Sequence, residues 1–227
     1  MTPDRLELTL HEPVVLRFSV ENTFAEALTL DLGWNRVGKF TVAIFRPDGL
    51  AAHPAHLRTG GVSRTPRVLL ATGERYSQQL LLNEWYPFDE LGDYRIEIEF
   101  EGSIRRGPGT TLQGPPPREI ALRVGPRDPA VLAETCQRLI KRAVGPDAES
   151  ALGAAKELSY VLDGTAVPFL ARLTREGPFV AVTRPIALRG LNRIAAAEGV
   201  GAVVSRLDAR DRDLAPLITG QISTPTD

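Results

Sequence analysis

The chain has 227 residues, 43% of them hydrophobic and 24% charged, with a formal net charge of −1. That is enough for one large or two modest domains, each burying a core, and no apolar run approaches the ~18–20 residues that span a bilayer. Residues 128–227 carry 12 Lys and Arg against 12 Asp and Glu, leaving 15 and 16 for residues 1–127, so neither part gathers the positive charge that phosphate backbones attract, and nucleic-acid binding is not expected.

From Leu6 to about Val124 the apolar residues recur with a period of two, the signature of strands. In chain order the runs are Leu6, Leu8, Leu10; Val14, Leu16, Phe18, Val20; Leu28, Leu30, Leu32; and Phe40, Val42, Ile44. Then come Tyr76, Gln78, Leu80, Leu82; Tyr94, Ile96, Ile98, Phe100; and Ile120, Leu122, Val124. Turn signals separate them, RPDG at Arg46 to Gly49 and LATGE at Leu70 to Glu74. About seven short strands with one polar and one apolar face, and no helical pattern between them, predict an antiparallel β-sandwich over residues 1–125. Two Gly- and Pro-rich stretches, Leu50 to Pro66 and Gly102 to Arg118, break the alternation and are expected to be surface loops.

The segment ELGDYRIEIEF, Glu90 to Phe100, places a Gly two residues before a Tyr at a strand start. It resembles the tyrosine corner of immunoglobulin-like sandwiches, with Glu90 where the corner usually has Asp and Ile96 where antibody-type domains have a cysteine. With LLLNEWYPF, Leu80 to Phe88, ahead of it, the segment is also weakly similar to the intracellular proteinase-inhibitor type of sandwich. Trp85 is expected in the core or the corner. Trp34, in GWNR beside Arg36 and Lys39, would suit a contact surface if exposed.

From Asp128 the period changes to 3.6, which predicts a helical domain over residues 128–227. Asp128-Pro129 reads as an N-cap with the favoured N1 proline, opening a helix through about Val144. Gly145-Pro146 ends it, and Asp147 caps a second helix running to Leu162. Val167 to Arg175 is the third, Thr183-Arg184-Pro185 leads into the fourth, and shorter helices are expected near Val200 to Leu207 and at Asp213 to Ile222. The second and fourth share a pattern: Ala151, Leu152, Ala155 and Leu158 map onto Ala187, Leu188, Leu191 and Ile194 at an interval of 36 residues.

Paired helices repeating near 36 residues resemble HEAT or armadillo-like repeats. Pro168 ahead of Leu170 and Leu173, a short turn, and Arg184 opening the next helix carry that resemblance, which implies that the second helix of each pair lines a binding face. If Ala187, Leu188, Leu191 and Ile194 face the core, Arg189, Asn192 and Arg193 face outward, with Gly153, Lys156 and Glu157 as their counterparts and Tyr160 on the same surface. Partner-binding candidates are therefore Lys156, Tyr160, Arg189, Asn192 and Arg193, with Trp34 on the sandwich.

For catalysis the sequence offers little. No G-x-S-x-G, phosphate-loop, G-x-G-x-x-G or H-E-x-x-H pattern occurs, and RTGG, Arg58 to Gly61, reads as a turn. His53 and His56, in HPAH, could join His11 or a carboxylate in a metal site, but a Gly-rich loop orients ligands poorly, and solvated histidines are expected. Glu97 and Glu99 alternate with apolar neighbours and belong to the wet face of a strand. Cys136, the only cysteine, excludes an internal disulfide and sits at helical spacing from Leu132, Leu139 and Ile140, which predicts a buried small hydrophobe. The expected function is that of a non-enzymatic protein-interaction or scaffold protein with a protein partner, no cofactor and no membrane insertion. The alternatives are a proteinase inhibitor-like binding module acting through the Gly102 to Arg118 loop, and a metalloprotein or enzyme built on the His53/His56 loop. MTPDRLELTL lacks a signal-peptide pattern, so a cytoplasmic protein is expected if the chain is complete and an exported one if it is a mature fragment.

Overall fold

The structure, a computed structural model, describes residues 2–3, 6–33, 37–52, 67–107 and 110–221. The N-terminal part is rich in β-structure and the C-terminal part is helical. Two compact units divide the chain, one comprising Met1–Leu8 and Val14–Gly125, the other Thr9–Pro13 and Pro126–Asp227.

In the first unit the period-two runs become strands, because alternate side chains of a strand point to opposite faces. Together with short strands that no run foretold, the described residues form β1 (Thr2–Pro3), β2 (Glu7–Thr9), β3 (Val15–Glu21), β4 (Leu28–Asp31), β5 (Phe40–Phe45) and β6 (Ala51–Ala52). Then follow β7 (Arg67–Leu70), β8 (Arg75–Leu81), β9 (Gly92–Phe100), β10 (Ser103–Arg106), β11 (Thr110–Leu112) and β12 (Arg118–Gly125). Among the described residues these pair into three sheets, ordered β1-β3-β8, β11-β10-β4-β7 and β2-β12-β9-β5-β6. In the last, Ile96 lies between Ile120 on β12 and Ile44 on β5, and Ile98 is opposite Val42, so the apolar residues of neighbouring strands share one face. Phe18 of β3 meets Phe40 of β5 and Phe100 of β9 at centroid distances of 5.0 and 4.9 Å, all three rings buried.

The turns follow the sequence signals. Gly49 and Gly73 hold φ of 81° and 79°, left-handed values that glycine adopts without a Cβ clash. The stretch expected as a loop from Gly102 to Arg118 instead contains a hairpin, with Ile104 of β10 opposite Leu112 of β11. A strand of four residues with one buried side chain has too few alternations to register as a period. Of the other predicted loop, Ala51 and Ala52 pair with Phe45 and Ile44, and residues 53–66 lie outside the described residues.

At the start of β9 the phenol of Tyr94 donates to the Glu90 carbonyl at 3.0 Å and accepts the Glu90 N–H at 3.1 Å. Trp85 is buried nearby in the chain, and Phe88 and Tyr86 pack on the Tyr94 ring. Burial pushes the phenol up to about 12. Tyr94→Phe strands two backbone groups together, and should lower the stability of the β-rich unit by about 1–2 kcal/mol in urea denaturation followed by tryptophan fluorescence.

In the helical unit the caps are as read from the sequence. The Asp128 carboxylate accepts the N–H groups of Ala130 and Val131 ahead of α1 (Pro129–Ala143), and Asp147 accepts that of Ser150 ahead of α2 (Ala148–Leu158). After a 3-10 turn, Gly164–Ala166, come α3 (Val167–Leu173), α4 (Val180–Glu198), α5 (Val200–Ser205) and a 3-10 stretch, Ala209–Leu217. The second helix stops short of the predicted Leu162, where the Ser159 hydroxyl donates to the Lys156 carbonyl. The fourth starts ahead of the predicted Thr183 to Pro185 opening and carries Pro185 inside it. Past the first turn, a proline forfeits one hydrogen bond and its ring crowds the carbonyl four residues back, here that of Ala181. The core gathers Leu132, Cys136 and Leu139 of α1, Ala155 and Leu158 of α2, Leu170 of α3, and Leu191 and Ile194 of α4, none of them accessible to solvent.

Candidate functional site

The 36-residue interval that relates α2 to α4 also relates their burial. Ala151 and Ala187, Ala154 and Gly190, Ala155 and Leu191, Leu158 and Ile194, and Ser159 and Ala195 are buried pair by pair, and Leu152 and Leu188 are both half-buried. Glycine at 190 permits close approach: a Cβ there would lie 2.9 Å from the Ser159 Cα and 3.1 Å from the Leu170 methyls. The end of α2 and the middle of α4 are thereby in contact.

Arg193 spans that contact. Its Nη1 donates to the Ser159 carbonyl at 3.2 Å and to the Ser159 hydroxyl at 3.3 Å, and its guanidinium carbon lies 3.9 Å from the centroid of the Tyr160 ring. A guanidinium over an aromatic face is held by the ring quadrupole as well as by its hydrogen bonds. Asn192 is also engaged, its Oδ1 accepting the Thr219 N–H at 2.8 Å and its Nδ2 donating to the Leu217 carbonyl at 3.4 Å. Arg189 and Lys156 are exposed. Glu157, expected on the outward ridge, is instead 5% exposed, with Arg142 of α1 at 3.4 Å from its carboxylate. The structure thus joins Tyr160 and Arg193 directly and sets Asn192 against the chain's last described residues. Trp34 lies outside the described residues, as do His53 and His56.

A second polar cluster in the helical unit had no sequence signal. Asp163, 3% exposed, accepts two bonds from the Arg127 guanidinium, at 2.5 and 3.1 Å, and two from Thr165, through its N–H at 2.8 Å and its hydroxyl at 2.6 Å. Burial works to raise the Asp163 carboxyl, but Arg127 and Thr165 together hold it well below the usual carboxylate range. The next residue, Gly164, donates its N–H to Glu198 at 2.7 Å, and Glu198 also pairs with Arg206. These bonds tie the end of α4 to the loop before α3. Both acids are thus paired with donors of the fold itself.

Among the described residues no group of three or more His, Cys, Asp or Glu could hold a metal, and His11 occupies a turn at φ 73°. Cys136 is buried, and that burial pushes its thiol up to about 12, far from a nucleophilic thiolate. Glu97 pairs with Arg95, which also reaches Glu119 at 3.3 Å and covers the Phe45 ring, so these carboxylates belong to a strand's outer face. No described helix is long and apolar enough to cross a membrane. No family model matches the chain, and no curated protein matches it either.

Proposed function

We propose that the protein is a non-enzymatic interaction or scaffold protein that presents the outer faces of α2 and α4 to a protein partner. The observation that carries this reading is the burial register at 36 residues, with Arg193 stacked across onto Tyr160. Through it, residues distant in sequence form one surface that combines guanidinium groups with an aromatic ring, the groups enriched at binding hot spots. The helical unit is on this reading a short HEAT- or armadillo-like array, in which the second helices α2 and α4 of successive pairs lie side by side.

The β-rich unit is on the same reading an immunoglobulin-like sandwich. Support comes from the central order β12-β9-β5, from the phenylalanine contacts between β3 and the pair β5 and β9, and from the Tyr94 hydrogen bonds to Glu90 at the start of β9. Both folds commonly present surfaces, and the site rather than the fold carries the functional claim.

The test is a partner recovered from native cell extract and its affinity for variants of the ridge. Arg189→Ala and Tyr160→Ala should each weaken binding by roughly 1–2 kcal/mol if both are hot spots. Arg189→Ala should leave the melting temperature unchanged, because the side chain is exposed. Undiminished affinity of the double variant would reduce the ridge to a solvated helix face.

A further inference from the structure

The helical unit includes five residues from far upstream, Thr9–Pro13. Their sequence, Thr9-Leu10-His11-Glu12, has the Thr-x-x-Glu spacing of a helix capping box, but no helix follows it. Half of the box is present: the Glu12 carboxylate accepts the Thr9 N–H at 3.2 Å, and the Glu12 N–H donates to the Thr9 carbonyl at 3.0 Å, closing a tight turn with His11 in the left-handed region.

The other half is redirected to α1. The Thr9 hydroxyl donates to the Pro126 carbonyl at 2.7 Å and accepts the N–H of Asp128 at 2.7 Å, and Asp128 is the residue that caps α1. The second oxygen of Glu12 accepts the Thr135 hydroxyl at 3.0 Å. Glu12 is 4% exposed and Thr135 3%, so this bond is made out of water, where a lost partner leaves a polar group stranded. Pro13 closes the segment with a fixed φ and no N–H to satisfy. The turn therefore holds α1 at its cap and again near its middle, and the residue after Thr135 is the fully buried Cys136.

We propose that residues 9–13 are a strap latched onto α1, and that release of this strap is the local opening through which the helical core beside Thr135 and Cys136 becomes accessible. Proteins open in parts at less cost than they unfold, and this five-residue segment, remote in sequence from the rest of the helical unit, is tied to α1 through polar bonds of the Thr9 and Glu12 side chains.

Cys136, as the chain's single cysteine, reports that opening. The full chain is treated with iodoacetamide in the absence of denaturant, and the rate of Cys136 modification is compared with global stability from urea denaturation of the same variant. Glu12→Gln keeps the size of the side chain but loses an acceptor, and Thr9→Val keeps its shape but loses the hydroxyl. Each should raise the labelling rate at least tenfold beyond what its change in global stability accounts for. Thr135→Val introduced into the Glu12→Gln background should add little, since both act on one bond. Two results would overturn the proposal: rates unchanged in both variants, or rates that rise only in proportion to global unfolding. If either variant fails to fold, the other still gives the comparison.

Discussion

Asp163→Ala is expected to lower the stability of the helical unit by about 3 kcal/mol, read from its far-ultraviolet helix signal in urea. Removing one partner of a buried ion pair costs roughly 3–5 kcal/mol when the remaining charge is trapped. Here the remaining partner, Arg127, keeps 46% of its side chain exposed and can turn to water, whereas Asp163 has 3%, which places the loss at the lower end. The variant also strands the N–H and hydroxyl of Thr165. A pH dependence accompanies it. The Asp163 carboxyl is depressed in the folded protein, so its contribution is complete above the ordinary carboxylate value of about 4 and fades as the pH falls toward the depressed value. Stability of the parent chain should fall more steeply than that of Asp163→Asn below about pH 4. Parallel curves would refute the assignment.

Phe18→Ala should be at least as damaging to the β-rich unit, at about 3–5 kcal/mol. Its ring is 2% exposed and touches Phe40 edge-on at 5.0 Å and Phe100 at 4.9 Å, which themselves lie 5.4 Å apart. Truncation removes the ring that both others pack on and leaves a cavity between strands of two different sheets. The Phe100 ring is itself tightly held, since a Cβ at Gly102 would lie 2.1 Å from it. Tryptophan fluorescence reports this effect, since both tryptophans precede residue 126 in the sequence and Trp85 is buried in the first unit. Phe18→Leu should recover most of the loss, because burial outweighs ring geometry; a leucine variant as unstable as the alanine one would put shape first.

What could be read from the sequence was whatever repeats over several residues. Alternation in Tyr94 to Phe100 and the 36-residue echo between Ala151 and Ala187 both survive in the burial of those residues, because each depends on the chain's own helical or extended period. The paired strands Ser103–Arg106 and Thr110–Leu112 leave no period in the sequence because they are four and three residues long. Helix α4 begins before Pro185 and runs through it, with Thr183 and Ala187 on either side buried, so tertiary packing overrides what reads locally as a helix opening. Tertiary pairings left no local trace at all. Glu157 turns inward because Arg142 waits on another helix, and Asp163 reads as an ordinary turn acid until Arg127 is placed beside it.

The division of the helical unit between two stretches of sequence has a consequence for synthesis. A ribosome makes protein from the N-terminus at about 5–20 residues per second, and more than a hundred residues separate Pro13 from Pro126. Thr9 and Glu12 therefore leave the ribosome on the order of ten seconds before Asp128 and Thr135 exist to receive them. During that interval the chain on either side of them can already pair, β2 with β12 only at its very end but β3 with β8 much sooner. Within the helical unit the strap is thus made well before α1, and its bonds to Asp128 and Thr135 can close only once that helix has been synthesised.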